Sequence, residues 1–185
     1  MGSRSGVRAA VFSVSLVAAV SKFALSPLCA TADERFVYRS EEGRFSVDLP
    51  AGPPSVRELS GSKLSMTDND VLHSVVSDGA EFAIETHDIP RVAKFLLTNR
   101  YILDRSVESM LEDIGAREID SAEISFLGQS AREVEFEDSD QKFAGRLLLV
   151  LAGRRLYMVT VQHPPSVDPP RFAAPFFASF SFWLE

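Results

Sequence analysis

Three histidines are the residues of this chain whose type best suits metal binding or proton transfer. His73, His87 and His163 each fall on a different predicted element, and none has a partner at i+2, i+3 or i+4, as helical metal ligands often do. His73 and His87 lie on two strands predicted to pair, so they could approach each other near the open end of that hairpin. Two partly exposed strand histidines are the favoured interpretation, because neighbours on a strand pair need not share a ligand.

Carboxylate and amide oxygens cluster in Thr67-Asp68-Asn69-Asp70, a set that a hard cation such as calcium accepts. The stretch lacks the glycine and the distal Glu of a calcium-binding loop. Asp and Asn also favour turns, because their side chains hydrogen-bond to nearby backbone. The sequence therefore predicts a turn here and no metal site.

Three carboxylates, Glu133, Glu135 and Glu137, fall on one face of a predicted strand, with Val134 and Phe136 on the other. They stand about 7 Å apart along the strand, a spacing that suits a weakly bound cation or a basic partner. A solvated face that protects an exposed sheet edge is the favoured interpretation.

Catalytic motifs of fixed spacing are missing from the sequence. It contains no Gly-x-Ser-x-Gly elbow, no glycine-rich phosphate loop and no His-Glu-x-x-His. A Ser/His/Asp triad built from distant loops stays open, because geometry and not spacing defines a triad. The sequence assigns no catalytic, cofactor-binding or metal-binding residue and no cofactor, and it favours a protein that is not an enzyme.

The N-terminal segment has the pattern of a secretory signal peptide over residues 1–32. Arg4 and Arg8 lead into the apolar run Ala9 to Val20, and Ala30-Thr31-Ala32 fits the small-x-small cleavage pattern. Lys22 interrupts the apolar run well short of the roughly 20 residues that span a bilayer, so cleavage is favoured over an uncleaved anchor. Residues 33–185 are then a single mature domain.

Cys29, the only cysteine, lies within the predicted signal peptide. Leu28 stands before it where lipoprotein sites usually have Gly, Ala or Ser, so lipidation is disfavoured. Cleavage after Ala32 leaves a mature domain without a thiol, and therefore without a disulfide or a cysteine nucleophile.

The mature domain carries a surplus of negative charge. Arg4, Arg8 and Lys22 account for three of the 19 basic residues and no acidic residue precedes Asp33, which leaves 16 basic and 26 acidic residues and a net charge of −10. Such a domain should repel nucleic acid and anionic lipid. The sequence therefore excludes nucleic acid as a partner.

The segment Gln141 to Gln162 predicts the centre of the fold. It is typical of two strands joined at Ala152-Gly153-Arg154, since Gly readily takes the positive φ of a tight turn. Side chains alternate along a strand, so Leu147, Leu149 and Leu151 share one face, and Leu148 and Val150 share the other. Because both faces are apolar, we expect this hairpin near the middle of a sheet, with helices or long loops over each face.

The remaining elements predict an antiparallel α+β domain. Leu103, Val107, Leu111 and Ile114 repeat at helical spacing before Gly115, which predicts one long helix from about Arg100 to Ile114. The predicted strands outside the central hairpin cover residues 36–38, 44–49, 71–76, 80–89, 119–126 and 130–136, with an edge strand within 56–66. The sheet should hold about six to eight strands, flanked by the long helix and a short C-terminal one.

Aromatic side chains crowd the C-terminus: Phe172, Phe176, Phe177, Phe180, Phe182 and Trp183. They follow a proline-rich loop in which Asp168 is suited to cap a short helix. We expect a helical turn and a last strand docked on the sheet. The cluster could line an apolar ligand pocket, but a plain core is favoured.

The chain resembles the PsbP-like superfamily, which includes bacterial exported proteins of the DcrB type. The resemblance rests on Tyr38 to Pro50 (YRSEEGRFSVDLP), on the helix end Glu112-Asp113-Ile114-Gly115, on Gly153-Arg154-Arg155-Leu156-Tyr157 entering a strand, and on Ser179-Phe180. It implies a central antiparallel sheet with helices on both faces. It also implies an accessory protein, since the best-known members have no catalytic residues.

These observations together predict an exported, non-catalytic accessory or binding domain that interacts with another envelope protein. The predicted location is the periplasm or the extracellular space, with no stable membrane span once the signal peptide is removed. Two alternatives stay open: a small exported hydrolase with a dispersed site, and a carrier of an apolar ligand.

Overall fold

A computed structural model describes residues 35–59, 70–138, 140–165 and 169–184, which form ten strands and three helices. In chain order the elements are β1 Phe36–Ser40, β2 Phe45–Leu49, β3 Ser55–Glu58, β4 Val71–Ser77, β5 Ala80–Asp88, α1 Arg91–Leu96, α2 Asn99–Ile114, β6 Ala116–Phe126, β7 Gln129–Asp138, β8 Ala144–Ala152, β9 Arg155–His163, α3 Ala173–Ser179 and β10 Ser181–Phe182. The predicted signal peptide with Cys29, the stretch Thr67-Asp68-Asn69 and the capping residue Asp168 lie outside the described residues.

Seven strands form one antiparallel sheet in the order β3-β4-β5-β9-β8-β7-β6. The hairpin β8–β9 lies inside this sheet, between β5 and β7. It turns at Gly153, whose φ of 63° is one that other residues rarely adopt. The predicted central hairpin and the α+β fold class are therefore confirmed.

Both faces of β8 are buried, as its leucines predict. Leu147, Leu149 and Leu151 join the hydrophobic cluster that packs against α2. Leu148 and Val150 join a second cluster on the opposite face, with residues of β2 and α3. The sheet is therefore the middle layer of the domain.

The first covering layer contains α2, which begins one residue before the prediction. The Thr98 hydroxyl accepts a hydrogen bond from the Tyr101 backbone N–H, and Gly115 ends the helix in the left-handed conformation. The preceding helix α1 was not predicted. It has only six residues, and of its apolar side chains only Ala93 packs against the core while Val92, Phe95 and Leu96 are exposed. The pattern of a core-facing helix is therefore absent.

The second covering layer differs from the expected helices or loops. A small antiparallel sheet of order β1-β2-β10 covers this face together with α3. Phe45, Val47 and Leu49 of β2 point into the core, while Ser46 and Asp48 are partly exposed. A period of two predicts such a strand correctly, but it carries no information about which sheet the strand joins.

The edge strand predicted within 56–66 is present as β3, which pairs with β4 and is exposed along its whole length. Residues 60–69 lie outside the described part of the chain. Among the described helices, none combines the length and the apolar character needed to cross a membrane.

Candidate functional site

His87, near the end of β5, lies in a cluster of charged groups beside the start of β4. Its Nδ1 atom is 3.1 Å from Asp70 Oδ2 and its Nε2 atom is 3.3 Å from Glu85 Oε2. The His87 and Asp70 side chains are only 2% and 0% exposed. Asp70 is thus an anion within hydrogen-bond distance of the His87 ring, and the two side chains form an ion pair when the imidazole is protonated.

The electrostatics of this cluster favour the charged imidazole. Burial alone lowers the pKa of His87, but the polar contacts and negative charges of Asp70 and Glu85 outweigh burial and raise the pKa to about 9. Each ring nitrogen faces a carboxylate, and the described residues contain no group of three or more side chains placed to hold a metal ion. The arrangement is that of a buried ion pair.

His73 lies on the opposite face of the β4–β5 hairpin. It pairs across the strands with Ile84, its ring packs edge-on against Phe45, and its Nδ1 atom is 3.1 Å from the Tyr38 hydroxyl. Burial lowers the pKa of His73 below its usual range, and the charge of Glu42 opposes this shift in part. Because successive side chains alternate between faces, His73 and His87 do not approach each other, which removes the alternative of a shared site. Both are buried, where partly exposed histidines were expected.

The turn between β4 and β5 could have predicted which residues of the two strands lie opposite each other. Asp78 and Gly79 both have positive φ, as a two-residue hairpin turn requires, so Ser77 pairs with Ala80. Counting back from the turn places residue 73 opposite 84, and 70 opposite 87. The pairing of His87 with Asp70 follows from that register.

His163, part of the glutamate row and part of the aromatic cluster meet at one cleft, which we call the α3 cleft. Its volume is about 530 Å³. It is lined by residues of β6 to β9, by the segment before α3 and by α3 itself: Ile119, Glu135, Phe136, Glu137, Ala144, Gly145, Arg146, Val161, His163, Pro169, Pro170, Arg171, Ala173, Ala174 and Phe177. A cleft of this size suits a small ligand or a short segment of another chain.

The floor of the α3 cleft is apolar and its rim is charged. Val161 and Phe177 are buried beneath it, and the Arg146 guanidinium lies 5.2 Å above the Phe177 ring. Arg146 also forms an ion pair of 2.9 Å with Glu133. The arginine is therefore held over the aromatic floor by both an anion and a ring.

Contrary to expectation, the glutamate row does not protect a sheet edge, because β7 lies between β6 and β8. Two of its three side chains form ion pairs. Glu133 pairs with Arg146 and Glu137 pairs with Arg117, whereas Glu135 and Arg171 form no ion pair with another described residue. Within the described part of the chain, the rim thus presents one carboxylate and one guanidinium without an ion-pair partner. No spacing in the sequence indicates these arginines together, because β6, β8 and the C-terminal segment supply them separately.

A second cleft, of about 430 Å³, lies beside Trp183. Arg155 of this cleft forms a forked ion pair with Asp88, and Arg39 lies 4.4 Å above the Trp183 ring. An open cavity beside Phe176, Phe177 and Trp183 was the expectation for an apolar-ligand carrier. The structure separates these residues, since Phe176 is fully buried and Phe177 and Trp183 line different clefts.

No protein-family model matches the chain, and no curated protein matches it. Among solved structures, 18 chains match. One is the solution structure of cyanobacterial PsbP (CyanoP) from Synechocystis sp. PCC 6803, at 11% identity and a TM-score of 0.57, covering 87% of this chain and 98% of that one. Another, a protein of unknown function from Pseudomonas aeruginosa described as a putative regulator, has 14% identity and a TM-score of 0.41, covering 71% and 84%.

The likeness to CyanoP extends over nearly the whole length of that chain. This chain therefore has a PsbP-like fold, as the sequence resemblance implied. At this level of identity the likeness concerns the fold, and function has to be argued from the site.

Proposed function

We propose that this protein is an exported, non-catalytic binding domain that holds a segment of another envelope protein in the α3 cleft. The observation that carries the proposal is the combination of an apolar floor at Phe177 with two rim charges, Glu135 and Arg171, that form no ion pair among the residues the structure describes. The signal-peptide pattern of residues 1–32 supports export, and the PsbP-like resemblance supports an accessory role.

The chemistry of the cleft defines its partner. The floor offers burial to one apolar side chain, which supplies most of the affinity in such sites. Glu135 and Arg171 require a cation and an anion on the same partner segment, because charges of opposite sign steer and orient the encounter. The proposed partner segment therefore carries an apolar residue flanked by one basic and one acidic residue.

Crosslinking in intact cells tests this proposal. A photoreactive amino acid replaces Ala174, an exposed residue of α3 that lines the cleft, and a matched variant carries it at the exposed Val76. We expect a discrete protein adduct from position 174 and none from position 76. Mass spectrometry of the adduct should find the described partner segment.

Charge variants make the test specific. Glu135→Lys and Arg171→Glu should each weaken the adduct by about fivefold or more, since each removes an attraction and adds a repulsion. The proposal is overturned if no protein adduct forms, or if the yield of the adduct is unchanged in both charge variants. Capture of only a small apolar molecule favours the carrier alternative.

A further inference from the structure

The helix α1 leaves three apolar side chains in solvent. Val92, Phe95 and Leu96 are 69%, 88% and 70% exposed, and none of the six residues of α1 is buried. The spacing i, i+3, i+4 places these three side chains on one face of the helix, which we call the α1 face. Ala93 and Leu97 pack against the core, so the domain holds this face outward.

The charge around the α1 face is positive. Between Asp88 and Asp104 the sequence has three basic residues and no acidic one. Arg100 forms an ion pair of 3.1 Å with Glu123. Arg91 and Lys94 have no carboxylate partner among the described residues, and Lys94 donates a hydrogen bond to the neutral side chain of Asn99. Two unneutralised cations therefore flank the exposed apolar face of an acidic domain.

We propose that the α1 face binds the surface of a bilayer that contains anionic lipid. Phe95, Leu96 and Val92 would enter the headgroup region, while Arg91 and Lys94 reach lipid phosphates through their flexible side chains. The net charge of the predicted mature domain is −10, so anionic lipid repels most of its surface and orients α1 toward the membrane. The attachment is peripheral and reversible.

A protein partner fits this face less well. A specific protein interface buries about 800 Å² on each partner, far more than three side chains of a six-residue helix supply. Lysine is also depleted from the cores of such interfaces. A bilayer accepts a protruding helix without a matching pocket, and its phosphates match the unpaired cations.

Depth-dependent fluorescence quenching tests the proposal on the full chain. Trp183→Phe removes the only tryptophan and keeps an aromatic ring beside Arg39. Phe95→Trp then adds a reporter on the α1 face, and Val76→Trp is the matched control at another exposed position. The probe is a vesicle of phosphatidylcholine and phosphatidylglycerol with brominated acyl chains. Comparing the two positions separates α1 contact from any binding through the N-terminal apolar run.

We expect quenching of at least about twofold at position 95 and none at position 76. Replacing Arg91 and Lys94 with Ser should raise the lipid concentration for half-maximal quenching about fivefold per cation. The proposal is overturned if quenching at position 95 is absent or if it is equal at both positions. It is also overturned if vesicles of phosphatidylcholine alone give equal quenching. A blue-shifted reporter before lipid is added also overturns it, since protein then covers the face. If circular dichroism shows that Phe95→Trp is misfolded, Leu96→Trp reports on the same face.

Discussion

Asp70 and His87 face each other across β4 and β5, and the two side chains are together closed to solvent. Glu85 completes the cluster from the same face of β5. The imidazole of an unfolded chain has a pKa near 6.5, whereas in the fold the pKa of His87 is raised to about 9. Folding therefore takes up a proton at neutral pH.

The domain should lose stability as the pH rises between these two pKa values. The stabilisation from charged His87 is complete below pH 6.5 and is lost as the pH passes about 9, because the folded state binds the proton more tightly. A shift of this size corresponds to at most about 3 kcal/mol. Urea unfolding across this pH range measures the loss. His87→Gln should flatten the profile, His163→Gln should not, and a flat profile in the unchanged protein contradicts the prediction.

Removing the Asp70 carboxylate should lower the free energy of unfolding more than removing the Glu85 carboxylate. Asp70 is fully buried, while the Glu85 side chain is 31% exposed. Asp70→Asn leaves a buried charge poorly compensated and should cost about 3 kcal/mol of unfolding free energy. Glu85→Gln should cost about 1 kcal/mol, since solvent screens that contact. Equal losses in urea unfolding at neutral pH would show that both carboxylates contribute alike.

Leu148 and Leu149 of β8 should contribute similarly to the stability of the fold, although their side chains lie on opposite faces of the sheet. Leu148 is 2% exposed and Leu149 is 0% exposed, each in a different hydrophobic cluster. Each change to Ala should lower the unfolding free energy by about 2 to 5 kcal/mol, as core truncations do. Val76→Ala, at an exposed position, serves as the control. If either Leu→Ala change lowered the free energy of unfolding no more than Val76→Ala does, the corresponding face of the sheet would not be covered.

Gly145 of β8 should not tolerate a methyl group. A Cβ atom there would lie 2.5 Å from the Phe136 ring and 2.5 Å from the Val161 backbone oxygen, and the backbone atom cannot move aside easily. Gly145→Ala should cost about 1 to 3 kcal/mol in thermal or urea unfolding. Gly153→Ala tests conformational strain alone, because nothing lies within 4 Å of its Cβ position. If Gly145→Ala lowered the free energy of unfolding less than Gly153→Ala, the predicted steric clash at Gly145 would be wrong.

Local sequence patterns were sufficient for the centre of the fold. Consecutive apolar residues in β8 indicate that both of its faces are buried. The apolar repeat of α2, followed by Gly115, predicts a helix of nearly the observed length. These signals lie within a single element and depend on its own periodicity.

Features that depend on tertiary assembly were not predicted. The strand Phe45–Leu49 has the same alternation whether it joins the large sheet or a separate one. The α3 cleft draws Glu135, Arg146 and Arg171 from different segments, so no spacing in the sequence indicates it. The charged cluster at His87 is an intermediate case, because hairpin register predicts the pair but not its burial.

The small sheet has a consequence for the timing of folding. β2 lies near the start of the described chain and pairs with β10, and α3 packs beside them over the same face of the large sheet. Until residues 173 to 182 have been synthesised, the apolar surface around Leu148 and Val159 has no complete cover. A nascent chain therefore cannot complete this face of its core before residues 173 to 182 have left the ribosome.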